Sequence, residues 1–226
     1  MRHRKPANGP ALAKLPVNRP PRPHYAARIF DFDGTLVDTD DINLHAMHAA
    51  LAAHGVHAPL SWLRTAPLGD LGALRRRSRD ELGVAVTASD QEIVAAARSY
   101  WVTHRGRARP VGPVVAVART AAAVGPVAVA SANDGQVVRA TLTAAGLASL
   151  FEVVIAREDV SRLKPAPDAF LKAASRLGLK TSECLAYENT DEGVAAARAA
   201  DMDVIDVRRR DWRDSFDGRI EIDGDP

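Results

Sequence analysis

"ARIFDFDGTLVDTD", Ala27 to Asp40, begins as an apolar, β-rich run and ends among carboxylates. The run up to Phe30 reads as a short buried strand, and Asp33-Gly34 stops it. Asp31 and Asp33 stand two residues apart at the strand's exit, a spacing that lets the intervening Phe32 stay with the core. Gly34 permits a sharp turn out of the strand. Asp38, Asp40 and Asp41 belong to the path that follows.

That path changes the hydrophobic period. "DINLHAMHAALAAHG" places Ile42, Leu44, Met47 and Leu51 at amphipathic-helix spacing and ends at Gly55. "LGALRRRSRDELG" and "SDQEIVAAARSYWVTHRG" predict two more helices. Ser89 or Asp90 suits the N-cap of the latter, with Glu92 in its first turn. Beyond this insert, strands and helices alternate. The strands are "PVAVAS", "FEVVIA", "ECLAYE" and "DVIDV"; helices read from "VGPVVAVARTAAAVG", "DGQVVRATLTAAGL", "APDAFLKAASRLGL" and "EGVAAARAAD". This pattern predicts an α/β fold, a three-layer Rossmann-like core with a parallel sheet, plus a small α-helical cap inserted after the first strand. The expected boundaries are 27–39 and 110–226 for the core, 40–109 for the cap and 1–26 for a tail.

In such sheets ligands bind outside the carboxyl ends of the strands. The predicted strands end in Asp31 and Asp33, in Ser131, and in Glu188 with Asn189, and Lys164 lies in the loop after "FEVVIA". Residues scattered over the chain are thus expected at one sheet edge. Two carboxylates about 4 Å apart repel by roughly 4 kcal/mol at an effective dielectric near 20. Asp31, Asp33 and Glu188 together therefore need a counter-charge or a proton. Lys164 supplies one positive charge, and a hard divalent cation would supply more. Mg²⁺ suits one or two carboxylates plus a substrate phosphate.

The four stretches carry a resemblance. "DFDGTLVDT", "VAVASAN", "RLKPAPDAF" and "LAYENTDEGVAAARAADM" resemble, in order, the four motifs of the haloacid dehalogenase-like superfamily of phosphotransferases. The helical insert resembles the cap of the subgroup that contains β-phosphoglucomutase and phosphoglycolate phosphatase. The resemblance implies a phosphohydrolase acting on a small phosphorylated metabolite through an aspartyl-phosphate. It implies Asp31 as nucleophile and Asp33 as acid and base. Ser131, Ala132, Lys164 and Thr35 would form the phosphate-binding set, Thr35 also helping to orient Asp33. Mg²⁺ would be held by Asp31, Asp33 through its backbone carbonyl, Glu188 and Asn189. Asp191, at a helix start, reads as a cap.

The chain departs from the pattern in places. The fourth motif is usually Glu-Asp or Asp-Asp, but here it is Glu188-Asn189. One negative charge is missing, and Glu188 is expected to carry more of the metal. No lysine occurs between Asp38 and Pro110, which argues against the Schiff-base chemistry of a phosphonate-cleaving relative. Asn43 stands where the sugar-phosphate mutases commonly have His, which favours hydrolysis over mutase chemistry. Dehalogenation would have no use for Asp33. Asn43, His45 and Arg75 are candidates for substrate specificity, with Arg64, Arg76 and Arg77 as further cations. Trp62 and Trp101 are expected in the cap core. A sugar-phosphate mutase and a catalytically weak binding protein on the same fold are the alternatives.

The bulk composition bounds the rest. The 226 residues are 46% hydrophobic and 26% charged, which is globular composition. Residues 1–27 hold six basic residues and no acid, whereas the remainder holds 24 basic and 28 acidic. The body is mildly acidic, and its one internal basic cluster, "LRRRSR", spreads round a helix; no nucleic-acid partner is expected. No apolar run is long enough for a membrane span. The single Cys184 forms no internal disulfide, so a cytoplasmic setting is expected. The tail is proline-rich, without an apolar period or a signal-peptide core, and is expected to be disordered.

Overall fold

A computed structural model describes residues 25–212. The expected disordered tail, up to residue 24, lies outside them. The first strand, β1, spans Ala27–Phe30. A two-residue strand, β2 at Val37–Asp38, leads into the helices α1 (Asp40–Ala53), α2 (Leu60–Leu63), α3 (Leu71–Leu82) and α4 (Asp90–His104). The chain returns through β3, Arg109–Pro110, which pairs antiparallel with β2. The alternating part follows as α5 (Gly112–Val124), β4 (Val127–Ala130), α6 (Gly135–Ala144), β5 (Val153–Ile155) and α7 (Asp168–Arg176). It ends with β6 (Cys184–Glu188), α8 (Asp191–Ala199) and β7 (Asp203–Asp206).

Five strands form one parallel sheet in the order β5-β4-β1-β6-β7. Parallel strands need crossovers, and the helices that supply them cover both faces. Alternation along β1 sorts the layers. Phe30 packs with residues of α5 and α6, whereas Ala27 and Ile29 pack with α7 and α8. The Phe30 ring stacks on Tyr187 of the neighbouring β6, with centroids 4.6 Å apart. The first layer is rich in Val and Phe and the second in Ala, so α7 and α8 can approach the sheet closely.

Local chemistry fixes the helix starts. Ser89 caps α4 in a reciprocal box with Glu92. Asp70 caps α3 by accepting from Ala73 N–H at 2.8 Å. At α8 the reading of Asp191 as the cap is corrected. Thr190 is the cap, its hydroxyl accepting from Gly193 N–H at 3.0 Å. Asp191 is already helical and pairs instead with Arg208 at 2.7 Å. The one-turn α2 and the β2–β3 ladder are elements the hydrophobic pattern does not announce.

Helices α1 to α4 bury a cluster of their own, centred on Leu51, Leu63, Leu74 and Ile93. Trp101 of α4 turns the other way and joins the cluster beneath the sheet. Its indole N–H donates to Thr141 Oγ1 of α6 at 2.9 Å, with both residues buried. Thr141→Val keeps the shape and leaves that N–H without an acceptor. Chemical denaturation is expected to show a loss of about 1–3 kcal/mol; an unchanged midpoint would show that the bond holds nothing.

Candidate active site

Strands β4, β1 and β6 lie side by side and run the same way, so their carboxyl ends deliver Ser131, Asp31 and Glu188 to one edge. The ladder continues past β1, with Asp31 N–H donating to Tyr187 O at 2.9 Å. Asp31, Ser131 and Glu188 are all buried. Lys164 arrives from the loop after β5. Its Nζ donates to Asp31 Oδ1 and Glu188 Oε1, each at 2.5 Å, and sits 5.1 Å from the centre of the Phe170 ring. Burial opposes the charge on Lys164, but the two carboxylates override it and raise its pKa.

The other Asp31 oxygen, Oδ2, is buried and has no hydrogen-bond partner among the described residues. Burial pushes the Asp31 pKa up from 3.8 to about 7; the Lys164 charge opposes this, and Glu188 and Asp33 reinforce it. Asp33 is half-buried. Burial raises its pKa as well, against hydrogen bonds from Thr39, Asn133 and Asn43. Asn133 Nδ2 lies 3.2 and 3.1 Å from the two Asp33 carboxylate oxygens. Asn43 also donates to Thr39 Oγ1 at 3.3 Å.

The acidic end of β6 is built around the Glu188 carboxylate. Glu188 Oε2 accepts from Asn189 N–H, Thr190 N–H and Thr190 Oγ1 at 2.9, 3.0 and 3.0 Å. Its other oxygen belongs to Lys164. Both Glu188 oxygens thus have partners within the protein, Oε1 in Lys164 and Oε2 at the start of α8. A side chain at Gly193 would run into this carboxylate, so the glycine after Asp191-Glu192 serves the site. Gly34, at φ +76°, turns the chain where a side chain would strike the Asn189 amide. Thr35 is fully buried, and its hydroxyl donates to Asn189 Oδ1 at 3.2 Å. It therefore orients Asn189; orientation of Asp33 falls to Thr39, Asn43 and Asn133.

A cavity of about 1040 Å³ opens between this edge and the inserted helices. Asp33, Ala132 and Asn133 line its core side, and Asn43, Met47, Arg64, Leu68, Leu71 and Val94 are among its residues from the insert. Asp31, Ser131 and Lys164 are not in its wall. Of the three specificity candidates, only Asn43 lines the cavity. Arg75 is bound to Asp90 and to Ala88 O, which ties α3 to the start of α4. His45 lies 3.4 Å from Asp41 on its own helix. Arg77 sits over the Trp62 ring and bonds Glu81. Asn133 is the polar group that sequence reasoning passed over, although it stands two residues after Ser131.

Among the described residues, no three His, Cys, Asp or Glu side chains converge closely enough to hold a metal by themselves. The orphaned Asp31 Oδ2 and the Asn189 carbonyl oxygen are nevertheless hard oxygen donors at the same edge. That set fits an ion that takes one or two carboxylates and completes its shell with waters and a phosphate. No helix among the described residues is long and apolar enough to cross a membrane.

The carboxyl edge of a parallel sheet, with paired aspartates and Lys164 beside a cavity under the inserted helices, is where an α/β protein of this kind binds its ligand. The chain belongs to the haloacid dehalogenase-like hydrolases, whose family model matches residues 25–201. It is a phosphoric monoester hydrolase of that family. It is 32% identical over 188 residues to the fructose-1-phosphate phosphatase YqaB of Escherichia coli, covering 81% of this chain and 97% of the relative. It is 30% identical to the CbbY protein of Rhodobacter capsulatus, over 83% of this chain and 91% of that one. The crystal structure of CbbY from Rhodobacter sphaeroides in complex with phosphate superposes with a TM-score of 0.68 at 23% identity, over 80% and 84% of the two chains, a likeness of fold.

The raised Asp31 pKa has a consequence for stability. The unfolded chain loses this proton near pH 3.8 and the folded chain near 7, so the folded form holds an extra proton between them. Its contribution to stability therefore falls as pH rises through that window. Asp31→Asn removes the buried charge and leaves Lys164 with Glu188. In metal-free protein the variant is expected to melt about 3 °C or more above the wild type near pH 8, with the gap closing toward about pH 5. A gap independent of pH would contradict this origin.

Proposed function

We propose that this hydrolase is Mg²⁺-dependent and cleaves a small phosphorylated metabolite through an aspartyl-phosphate on Asp31. The observation that carries the reading is the state of Asp31. One of its oxygens is clamped by Lys164, and the other is buried without a partner. A carboxylate so held is oriented for attack and poorly solvated. In the first step Asp31 attacks phosphorus, and Asp33 gives its proton to the leaving oxygen as the P–O bond breaks. In the second, Asp33 takes a proton from water, which attacks phosphorus and frees Asp31. Ser131 and Lys164, with the backbone at Ala132, stabilise the charge on the transferring oxygens. Asp31, the Asp33 carbonyl and Asn189 would hold Mg²⁺, with Glu188 acting through Lys164 and the backbone of residues 189–190. When bound, the ion supplies charge neutralisation at the phosphoryl oxygens.

Segment 40–109 acts as a cap over the core in this reading. Its half-buried or exposed Met47, Leu68, Leu71 and Val94 face the cavity beside Arg64. That space and its mixed walls suit a leaving group of sugar size better than a two-carbon acid. Asn43, which steadies Thr39 beside Asp33, supports hydrolysis over mutase chemistry.

A panel of phosphomonoesters with Mg²⁺ tests the proposal. Phosphate release is expected from at least one sugar phosphate, and Asp31→Asn should lower it by about 10³-fold or more. Release undiminished in that variant, or no release from any ester by folded wild type, would overturn it. Asn189→Asp restores the missing charge and should lower the Mg²⁺ concentration for half-maximal rate by about 3- to 10-fold. An unchanged Mg²⁺ titration would remove Asn189 from the metal set.

A further inference from the structure

The loop after β4 is Ser131-Ala132-Asn133-Asp134, and Asn133 is held in it on every side. Its backbone N–H donates to Ser131 Oγ at 3.0 Å. Its backbone carbonyl accepts from Arg157 N–H at 2.9 Å. Its side-chain Oδ1 accepts from Asp134 N–H at 2.8 Å. The occupied Oδ1 settles which way the amide faces, because a donor there would oppose another donor. The remaining end, Nδ2, meets both oxygens of Asp33. The loop is fixed in turn by Asp134, which caps α6 and pairs with Arg98 of α4.

The other two groups that steady Asp33 have a different origin. Thr39 and Asn43 lie at the start of α1, where the chain enters the insert. Asn133 follows β4, the strand hydrogen-bonded to the one that ends in Asp31. Of the three, it alone reaches Asp33 from another strand of the sheet, whereas Thr39 and Asn43 follow Asp33 along the same stretch of chain. An amide also suits the task chemically. It donates to a carboxylate but is neutral at any working pH, so it neither competes for the proton nor adds a cation beside Lys164.

We propose that Asn133 is a positioning residue that aims the Asp33 carboxyl at the leaving oxygen from the core side of the site. This rests on the acid role proposed above for Asp33. The assisted step transfers the Asp33 proton to the ester oxygen while the electrons of the breaking P–O bond pass to that oxygen. Misaimed by even an ångström, the transfer fails, and the cost depends on how much the leaving group needs the proton.

The test compares phenyl phosphate with 4-nitrophenyl phosphate, which are similar in shape but differ in leaving-group basicity. The variants are Asn133→Ala, Asn133→Asp and the reference Asp33→Asn. Asn133→Asp keeps the size and the acceptor for Asp134 N–H, so the loop is retained while the donor to Asp33 is replaced by a carboxylate that repels it. kcat/KM is the quantity to read, because it reports the steps up to departure of the alcohol. Both Asn133 variants are expected to lose about 10- to 100-fold on phenyl phosphate with KM little changed, and less than about threefold on 4-nitrophenyl phosphate. Asp33→Asn should show the same split, larger. Equal losses on both esters in the Asn133 variants, or no loss on either, beside a split in Asp33→Asn, would overturn the proposal and leave the acid assignment standing. Absence of a split in Asp33→Asn would overturn the acid assignment, and the role of Asn133 with it.

Discussion

The ammonium of Lys164, 2.5 Å from carboxylates at the ends of two adjacent strands, is the contact on which the site depends. Asp31 and Glu188 are buried, and each would be costly there without a partner. One cation serves both. It leaves Asp31 Oδ2 buried without a hydrogen-bond partner among the described residues, the atom assigned the attack in the proposed mechanism. Glu188 gives the remainder of its capacity to the turn into α8. Its carboxylate joins lysine, turn and helix start into one unit, and Gly193 makes room for it.

Among the described residues no three acidic, His or Cys side chains converge at this edge as a ready-made metal cluster. A cluster with several free carboxylates would bind a cation tightly without substrate. Here Glu188 is engaged and the next residue is an amide, so the described residues present few open oxygens. In the proposed function such a site takes an ion that shares its coordination with an incoming phosphate. The inserted helices add an apolar flank, and Thr39 and Asn43 bring the start of α1 to Asp33. The helices that line the cavity thereby also reach Asp33.

Much of this was legible in the chain. Apolar runs ending in polar residues predicted the parallel sheet, and the carboxyl-end rule placed Asp31, Ser131, Lys164 and Glu188 together. Those inferences rest on periodicity and topology, which sequence carries directly. Side-chain direction is another matter. Thr35 faces Asn189 because Gly34 turns the backbone beneath that amide. Arg75 is drawn to Asp90 by the packing of α3 on α4, and His45 stays beside Asp41, so neither lines the cavity. Asn133 closes the stretch "VAVASAN", but its orientation comes from hydrogen bonds to Asp134 and Arg157, which exist only once the loop is folded.

In the proposed mechanism Asp31 itself accepts the phosphoryl group. Acid quenching during turnover, digestion and mass analysis of the peptide that spans Asp31 and Asp33 would test it directly. A phosphoryl addition on Asp31 is expected, present only while substrate remains and missing from Asp31→Asn. A wild-type enzyme that turns over with Asp31 unmodified at every quench time, or with the phosphoryl group on another residue, would contradict it.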